Sequence, residues 1–221
     1  PVLDEILSEA DIKTEQNMGL VQVPLDFVVG TSTMGRTYSF AANFMPILDW
    51  ETEFAVKSSN LSDAQMNEGI RDPIKAFEYM NRYYVLEGNK RVSVLKYFNA
   101  VSIPAIVTRK IPKLSDDYDV RLYYEYMKFN EITGLCSVEF TKLGNADKLL
   151  SLVGKEGRWD DETKEKFAKV MFDFSKVYNF RGGDRLDIKL GDAITVFMEV
   201  FGMDAMLEMS ENDYNKNIIN T

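Results

Sequence analysis

The sequence predicts an α+β fold in which strands dominate the first half of the chain and helices the second. Short apolar runs rich in β-branched and aromatic residues are typical of strands. They lie at Leu20–Val23, Ile74–Glu78, Tyr83–Leu86 and Ile103–Thr108. Apolar residues that recur every three or four positions are typical of helices, and they recur clearly at 159–180 and 191–202.

Capping and turn signals place the remaining elements of the first half. The spacing of apolar residues predicts a helix from Phe40 to Leu48, with Pro46 as an irregularity. Ser62 is a predicted N-cap with a glutamine three residues on, which gives a short helix Ser62–Glu68. A further helix begins at Asn89 or Lys90, directly after a glycine turn, with its apolar side formed by Val92, Val94, Leu95 and Phe98.

The second half of the sequence is less regular. Two segments, 119–132 and 136–143, are rich in aromatic and β-branched residues and favour strands. A short helix is predicted to end at Gly154, and the last residues, 210–221, are expected to be loosely held. We therefore predict a first domain of residues 1–113, with a mixed or mainly helical extension, residues 114–221, packed on it.

Composition excludes several classes of protein. The chain has no histidine and one cysteine, Cys136, which rules out an internal disulfide, the usual zinc sites and nucleophiles activated by histidine. No stretch approaches the roughly 18 consecutive apolar residues of a membrane span, and the N-terminus lacks the features of a signal peptide. We therefore expect a cytoplasmic protein without a membrane segment. Because the sequence starts at Pro1, we also expect it to be a piece of a longer chain.

Charge is distributed unevenly along the chain. The net charge is -9, which disfavours broad nucleic-acid binding, because such binding depends on cations that neutralise phosphates. Residues 71–113 nevertheless contain nine Lys or Arg and three acidic residues, a local charge of +6. The glycine turn before the predicted helix lies within this basic segment.

That turn has the composition of an anion site. The first backbone amides of a helix have no partner within it, and together with the helix dipole they favour a bound anion. Gly88 permits close approach to the backbone, and Lys90 and Arg91 add positive charge, Arg91 in a geometry suited to bidentate contact. Strand–glycine–helix junctions are also common as purely structural features, so the turn alone leaves both interpretations open.

The order of short motifs along the chain adds to this evidence. "VPLDFVV", "MGR", "GIRDPI", "EGNKRVSV" and "SIPAIV" follow one another between residues 19 and 110. In this order they resemble the ParB/sulfiredoxin-like superfamily, which includes the ParB-like nuclease domains. The resemblance implies a small mixed sheet with helices. The whole chain is also similar to the ParB-like N-terminal region that precedes a basic-membrane-protein type, nucleoside-binding solute receptor in some Firmicutes.

The resemblance further implies a nucleotide-phosphate pocket, occupied in ParB-type proteins by a nucleoside triphosphate with Mg²⁺. Matched position by position, the pocket residues are Gly88, Asn89, Lys90, Arg91, the loop residue Arg36, and Asp72 with Pro73. Asn89 replaces the reactive cysteine of sulfiredoxins and the usual glutamate of ParB proteins, and Lys90 replaces the histidine of sulfiredoxins. The acidic segment that helps to hold the metal in ParB proteins has no counterpart after Lys113, so we predict no protein metal site.

Three functions follow from these observations. The first is a sensor or regulatory module that binds a nucleotide or another phosphorylated ligand. The second is a DNA-binding or DNA-associated protein that uses the basic segment. The third is a phosphotransferase or nucleotidase in which Glu87 accepts a proton, although Glu87 is also placed to form a salt bridge with Lys90 or Arg91. A homodimer and fusion to a solute-binding domain are further expectations.

Overall fold

A computed structural model describes residues 1–8, 11–36, 41, 43–45 and 72–220 of the chain. The chain divides into two compact units, Pro1–Leu114 and Ser115–Thr221, a boundary one residue from the predicted one. Packing of the second unit on the first stays a prediction. The predicted helix Ser62–Glu68 lies outside the described residues, as does most of the predicted helix Phe40–Leu48.

The first unit is built on a five-stranded mixed sheet. Its strands are β1 (Ile12–Pro24), β2 (Val28–Thr31), β3 (Ile74–Tyr79), β4 (Arg82–Glu87) and β5 (Ser102–Pro112). Their spatial order is β1-β5-β3-β4-β2. Strand β1 is antiparallel to β5 and β3 to β4, whereas β3 runs parallel to β5 and β2 to β4. This sheet and its helices confirm the predicted α+β class.

The four predicted strands are all present, and β1 is much longer than predicted. Its polar first half, from Lys13 to Asn17, pairs with β5 while its side chains stay exposed. This part of β1 has no alternation of apolar and polar residues, so the sequence does not indicate a strand there. Backbone hydrogen bonds to β5 keep it in the sheet. Strands β3 and β4 are joined by a two-residue turn in which Met80 and Asn81 have φ of 50° and 57°, the backbone that short hairpins favour.

Two helices lie in the described part of the first unit, α1 (Leu3–Ile6) and α2 (Asn89–Tyr97). Helix α2 follows β4 directly, as predicted, and buries Val92 and Leu95 in one cluster with Ile74 and Ile103 of the sheet. Burial of these branched side chains fixes the start of α2 against the sheet edge where β3 begins and β4 ends.

In the described residues of the second unit, the regular secondary structure is helical. Its helices are α3 (Tyr118–Thr133), α4 (Asn145–Val153), α5 (Asp161–Phe180), α6 (Leu190–Phe201), α7 (Met203–Glu208) and α8 (Glu211–Asn220). They surround a core rich in phenylalanine, with fully buried Phe129, Phe167, Phe174 and Phe197. The predictions for α4, α5 and α6 are confirmed. In the described part of the chain, no helix has the length and apolar character needed to cross a membrane.

The predicted strands at 119–132 and 136–143 are wrong. The first is helix α3, whose buried Tyr123, Tyr126 and Phe129 recur every three residues and therefore share one helix face. The Asp117 carboxylate caps it by accepting hydrogen bonds from the N–H groups of Asp119 and Val120. The second segment is an irregular loop that contributes buried Val138 and Phe140 to the core.

The expectation of a loosely held C-terminus is also wrong. Residues 211–220 form α8, and Tyr214 on it is completely buried, with its hydroxyl donating to the carbonyl oxygen of Met206. Ser210 and Asp213 cap the helix reciprocally: the Ser210 N–H donates to the Asp213 carboxylate, and the Asp213 N–H donates to Ser210 Oγ.

Candidate functional site

Sheet topology brings three predicted site segments to one edge of the sheet. Because β2 and β4 are parallel, their last residues lie side by side, and the Ser32 N–H donates to the Val85 carbonyl oxygen at 2.9 Å. Because β3 is antiparallel to β4, with Lys75 opposite Glu87, β3 begins where β4 ends. Ser32, residues 72–73 and residues 87–91 therefore lie at this edge.

Gly88 forms the turn from β4 into α2. Its φ of 106° is in the left-handed region, and a Cβ added here would lie 2.5 Å from Ile74 Cγ2. The Gly88 carbonyl accepts a hydrogen bond from the Val92 N–H at 3.1 Å. The amides of Asn89, Lys90 and Arg91 therefore precede the first bond of the helix, and the N-cap residue Gly88 has no side chain with which to cap it.

Asn89, the first residue of α2, carries an unsatisfied polar atom. The residue is 6% exposed, and its Oδ1 is one of four buried side-chain polar atoms without a hydrogen-bond partner in the described part of the chain. A buried polar atom left without a partner costs about 1–3 kcal/mol. A ligand group that donates to Oδ1 would recover that energy.

Arg91 connects the helix to the chain that enters β3. Its Nη1 donates to the carbonyl oxygens of Asp72 at 3.1 Å and Pro73 at 2.5 Å. The sequence suggested a bidentate phosphate contact for this side chain, whereas Nη1 holds the protein's own backbone. The guanidinium carbon lies 3.4 Å from the position of a Cβ on Gly88, so the charge still lies beside the turn.

The other predicted site residues lie near the same sheet edge or at the start of α2. Lys90 is partly buried in the first turn of α2. The backbone of Arg36 ends a short 3-10 turn, Met34–Arg36, that follows β2. Asp72 is exposed, and it contributes the carbonyl that Arg91 contacts. The structure thus brings Arg91 together with Asp72 and Pro73. The part of Arg36 in the site, and contact of any of these residues with a ligand, stay predictions.

Glu87 pairs with a residue that the sequence did not indicate. Its carboxylate lies 2.9 Å from Lys75 Nζ, across the β3–β4 pair, whereas the sequence suggested Lys90 or Arg91. The hydrogen bond and charge of Lys75, with a smaller effect from Arg91, hold the pKa of Glu87 below its ordinary value. A carboxylate with a lowered pKa is a weaker base, which does not favour proton transfer by Glu87.

Because the chain has no histidine, acidic side chains and Cys136 are its candidate metal ligands. Within the described ranges, no group of three or more His, Cys, Asp or Glu residues is arranged to hold a metal ion. Asp72 and Glu87 are the acidic residues of the site segments, and Glu87 is engaged with Lys75. These residues do not fit a Mg²⁺ cage built from protein carboxylates alone.

No protein-family model matches the sequence, and no curated protein shows significant similarity to it. Among solved structures, sulfiredoxin from Arabidopsis thaliana is similar at 20% identity and a TM-score of 0.29, covering 40% of this chain and 82% of its own. The C-terminally truncated chromosome-partitioning protein ParB from Caulobacter crescentus, complexed with CTP-gamma-S, has 12% identity and a TM-score of 0.28. The match covers 91% of this chain and 99% of the ParB chain. A Pnob8-like ParB-N domain has 11% identity and a TM-score of 0.29, and the match covers 94% of this chain and 70% of that domain's chain. At such low scores the superpositions carry no argument about function, so the superfamily resemblance rests on the sequence motifs.

Proposed function

We propose that the first unit is a ParB-like module that binds a nucleotide or another phosphorylated small molecule at the start of α2. Its role is that of a sensor or regulatory domain. The observation that carries the proposal is the nine-residue helix α2 that starts at the Gly88 turn beside the Arg91 guanidinium, together with the buried Oδ1 of Asn89, which has no hydrogen-bond partner among the described residues.

Phosphate is the ligand group that suits this arrangement. The amides of residues 89–91 are hydrogen-bond donors at the positive end of a helix dipole, and the Arg91 guanidinium adds a full charge beside them. Asn89 Oδ1 is an acceptor, so it suits a hydroxyl or amino group near the phosphate rather than a phosphate oxygen. A nucleotide carries both kinds of group.

Binding is favoured over catalysis. Glu87 is held by Lys75 with a lowered pKa, and the described residues lack a cluster of metal ligands. A Mg²⁺ ion that arrives with a nucleoside triphosphate is bound mainly by the phosphates and water. We therefore derive no metal-dependent hydrolysis from these side chains.

The DNA-associated alternative loses support because the basic segment is already engaged. Of its nine cations, Arg71 lies outside the described residues, and at least six others contact protein groups. These are Lys75 with Glu87, Arg82 with the Asn81 carbonyl oxygen, Arg91 with backbone carbonyls, Lys96 with the Phe44 ring, buried Arg109 with Glu78, and Lys110 with Glu15. Phosphate-driven DNA binding needs cations that release counterions. Homodimerisation and fusion to a solute-binding domain stay predictions.

Isothermal titration with CTP, ATP and GTP, each with and without Mg²⁺, tests the proposal. We expect measurable heat with at least one nucleotide. Lys90→Gln is expected to weaken binding about tenfold, the effect of one charge-assisted hydrogen bond. Lys113→Gln removes the same charge from an exposed position in the same segment and is expected to leave binding nearly unchanged. No heat with any nucleotide would remove the proposal.

A further inference from the structure

A second candidate site lies in the second unit. A cavity of about 380 Å³ lies between the end of α5 and the start of α6, lined by Tyr178, Asn179, Gly183, Asp184 and residues 186–190. This volume is within the range of small-molecule pockets. In the sequence, this segment is marked by a break in the helical pattern after residue 180.

Tyr178 supplies the polar atom that suggests a ligand. The residue is 9% exposed, and its hydroxyl is buried without a hydrogen-bond partner in the described part of the chain. Gly183 packs directly against the ring of Tyr178, so closely that a Cβ added to Gly183 would lie 2.3 Å from ring carbons. Burial and the charge of Asp192 raise the pKa of Tyr178, so the phenol stays protonated and available as a donor.

The neighbouring helix start does not suit an anion. The Gly191 N–H donates to the Glu139 carbonyl oxygen, and the N–H groups of Asp192 and Ala193 donate to the Lys189 carbonyl oxygen. The buried Asp192 carboxylate also accepts hydrogen bonds from Thr141 and Asn145, which places a negative charge at this end of α6. Amides that would otherwise attract an anion are therefore occupied.

The charged side chains around the cavity favour a cation. Asp184 and Asp187 both line it and are exposed, and neither forms an ion pair within the described residues. Among the described lining residues the cation is Lys189, whose Nζ lies 3.5 Å from a Glu139 carboxylate oxygen. Leu186 and Ile188 add exposed apolar surface to the same wall.

We propose that this cavity binds a small organic amine with an apolar body and a hydrogen-bonding oxygen. The ammonium group pairs with Asp184 and Asp187, the apolar body covers Leu186 and Ile188, and the oxygen accepts from the Tyr178 hydroxyl. The binding site is independent of the phosphate site at α2.

NMR titration of the full chain with tyramine tests this assignment, with 3-(4-hydroxyphenyl)propionate as the matched anionic probe. We expect tyramine to shift the amide signals of residues 183–190 and the anionic probe to leave them unchanged. Tyr178→Phe is expected to weaken tyramine binding about three- to tenfold, the range for one hydrogen bond. Asp187→Asn is expected to weaken it as well. Equal binding of the two probes, or unmoved signals at 183–190, would overturn the proposal.

A stability measurement gives an independent readout. Because the Tyr178 hydroxyl has no hydrogen-bond partner among the described residues, Tyr178→Phe is expected to raise the Tm of the ligand-free protein. Tyr214→Phe is the matched control: its hydroxyl donates to the Met206 carbonyl oxygen at 2.8 Å, so its removal is expected to lower the Tm. A lower Tm for Tyr178→Phe would show a hydrogen bond in the free protein and would contradict the proposal.

Discussion

The guanidinium of Arg91 in α2 donates a hydrogen bond to the carbonyl oxygen of Pro73, just before β3. This contact connects the start of β3 to α2, the helix that follows the neighbouring strand β4. The candidate phosphate site lies beside that contact, so the stability of the sheet edge and the geometry of the site are linked through one side chain.

Removal of the Arg91 side chain is therefore expected to affect stability as well as binding. We predict that Arg91→Ala lowers the free energy of unfolding by about 1–3 kcal/mol, because two backbone carbonyls lose a charged donor. Lys90→Ala, in the same turn of the helix, is expected to lower the free energy of unfolding by less. Urea unfolding followed by circular dichroism measures both, and equal stability of the wild type and Arg91→Ala would show that the contact does not hold the edge.

Gly88 is expected to be more sensitive to substitution than other glycines with positive φ. Gly88→Ala combines an unfavourable φ with a Cβ only 2.5 Å from Ile74 Cγ2, whereas at Gly144 (φ +85°) nothing lies within 4 Å. Backbone strain costs of order 1–3 kcal/mol in each case, and the clash adds to it only at Gly88. Thermal unfolding of the two variants compares these costs. A larger decrease in Tm for Gly144→Ala than for Gly88→Ala would contradict the packing described at the Gly88 turn.

A buried ion pair holds the opposite end of the β3–β5 pair. The Glu78 carboxylate contacts Arg109 Nε and also accepts a hydrogen bond from the Asn81 N–H at 2.7 Å, and both charged residues are buried. We predict that Glu78→Ala costs about 3–5 kcal/mol, because it leaves the Arg109 charge buried without this carboxylate. Asp147→Ala breaks the exposed pair with Lys128 and is expected to cost about 0–1 kcal/mol. Chemical denaturation distinguishes the two, and similar small losses would mean that the Glu78 pair is solvated.

Much of the first unit follows from local sequence. Strands β3 and β4 and the start of α2 are visible because apolar alternation, a hairpin turn and Gly88 occur within a few residues of one another. The start of β1 is not visible, since its exposed polar residues are held by pairing with a strand far along the chain. Helix α3 was missed because its aromatic residues favour strands by type, although Asp117 and the spacing of Tyr123, Tyr126 and Phe129 indicate a helix.

The sequence predicted which residues form the candidate site, but it did not predict which groups they contact. Gly88 and the helix start are local features, and the sequence located them. The partners of Arg91 and Glu87 depend on the antiparallel pairing of β3 with β4, which brings Pro73 and Lys75 to the turn. The buried oxygen of Asn89 depends on packing, which residue type alone does not reveal.

The start of α5 is expected to make stability depend on pH. Hydrogen bonds from Lys155 and Thr163 hold the pKa of the Asp160 carboxylate well below its ordinary value of 3.8. A carboxyl group whose pKa is lowered by folding stabilises the fold above that ordinary value, and this contribution is lost as the pH falls below it. We predict that Asp160→Ala lowers the Tm at neutral pH and that the difference from wild type shrinks in acid. The control Asp161→Ala removes a neighbouring exposed carboxylate, and an effect equal to that of Asp160→Ala would contradict the capping role.

The most direct test of the phosphate site is an NMR titration of the ¹⁵N-labelled chain with CTP, following each backbone amide. The largest shifts are expected at Asn89, Lys90 and Arg91, with smaller ones at Asp72 and none at the exposed control residue Lys113. If CTP binds while the amides of residues 89–91 do not move, the ligand lies elsewhere and the start of α2 is not a phosphate site.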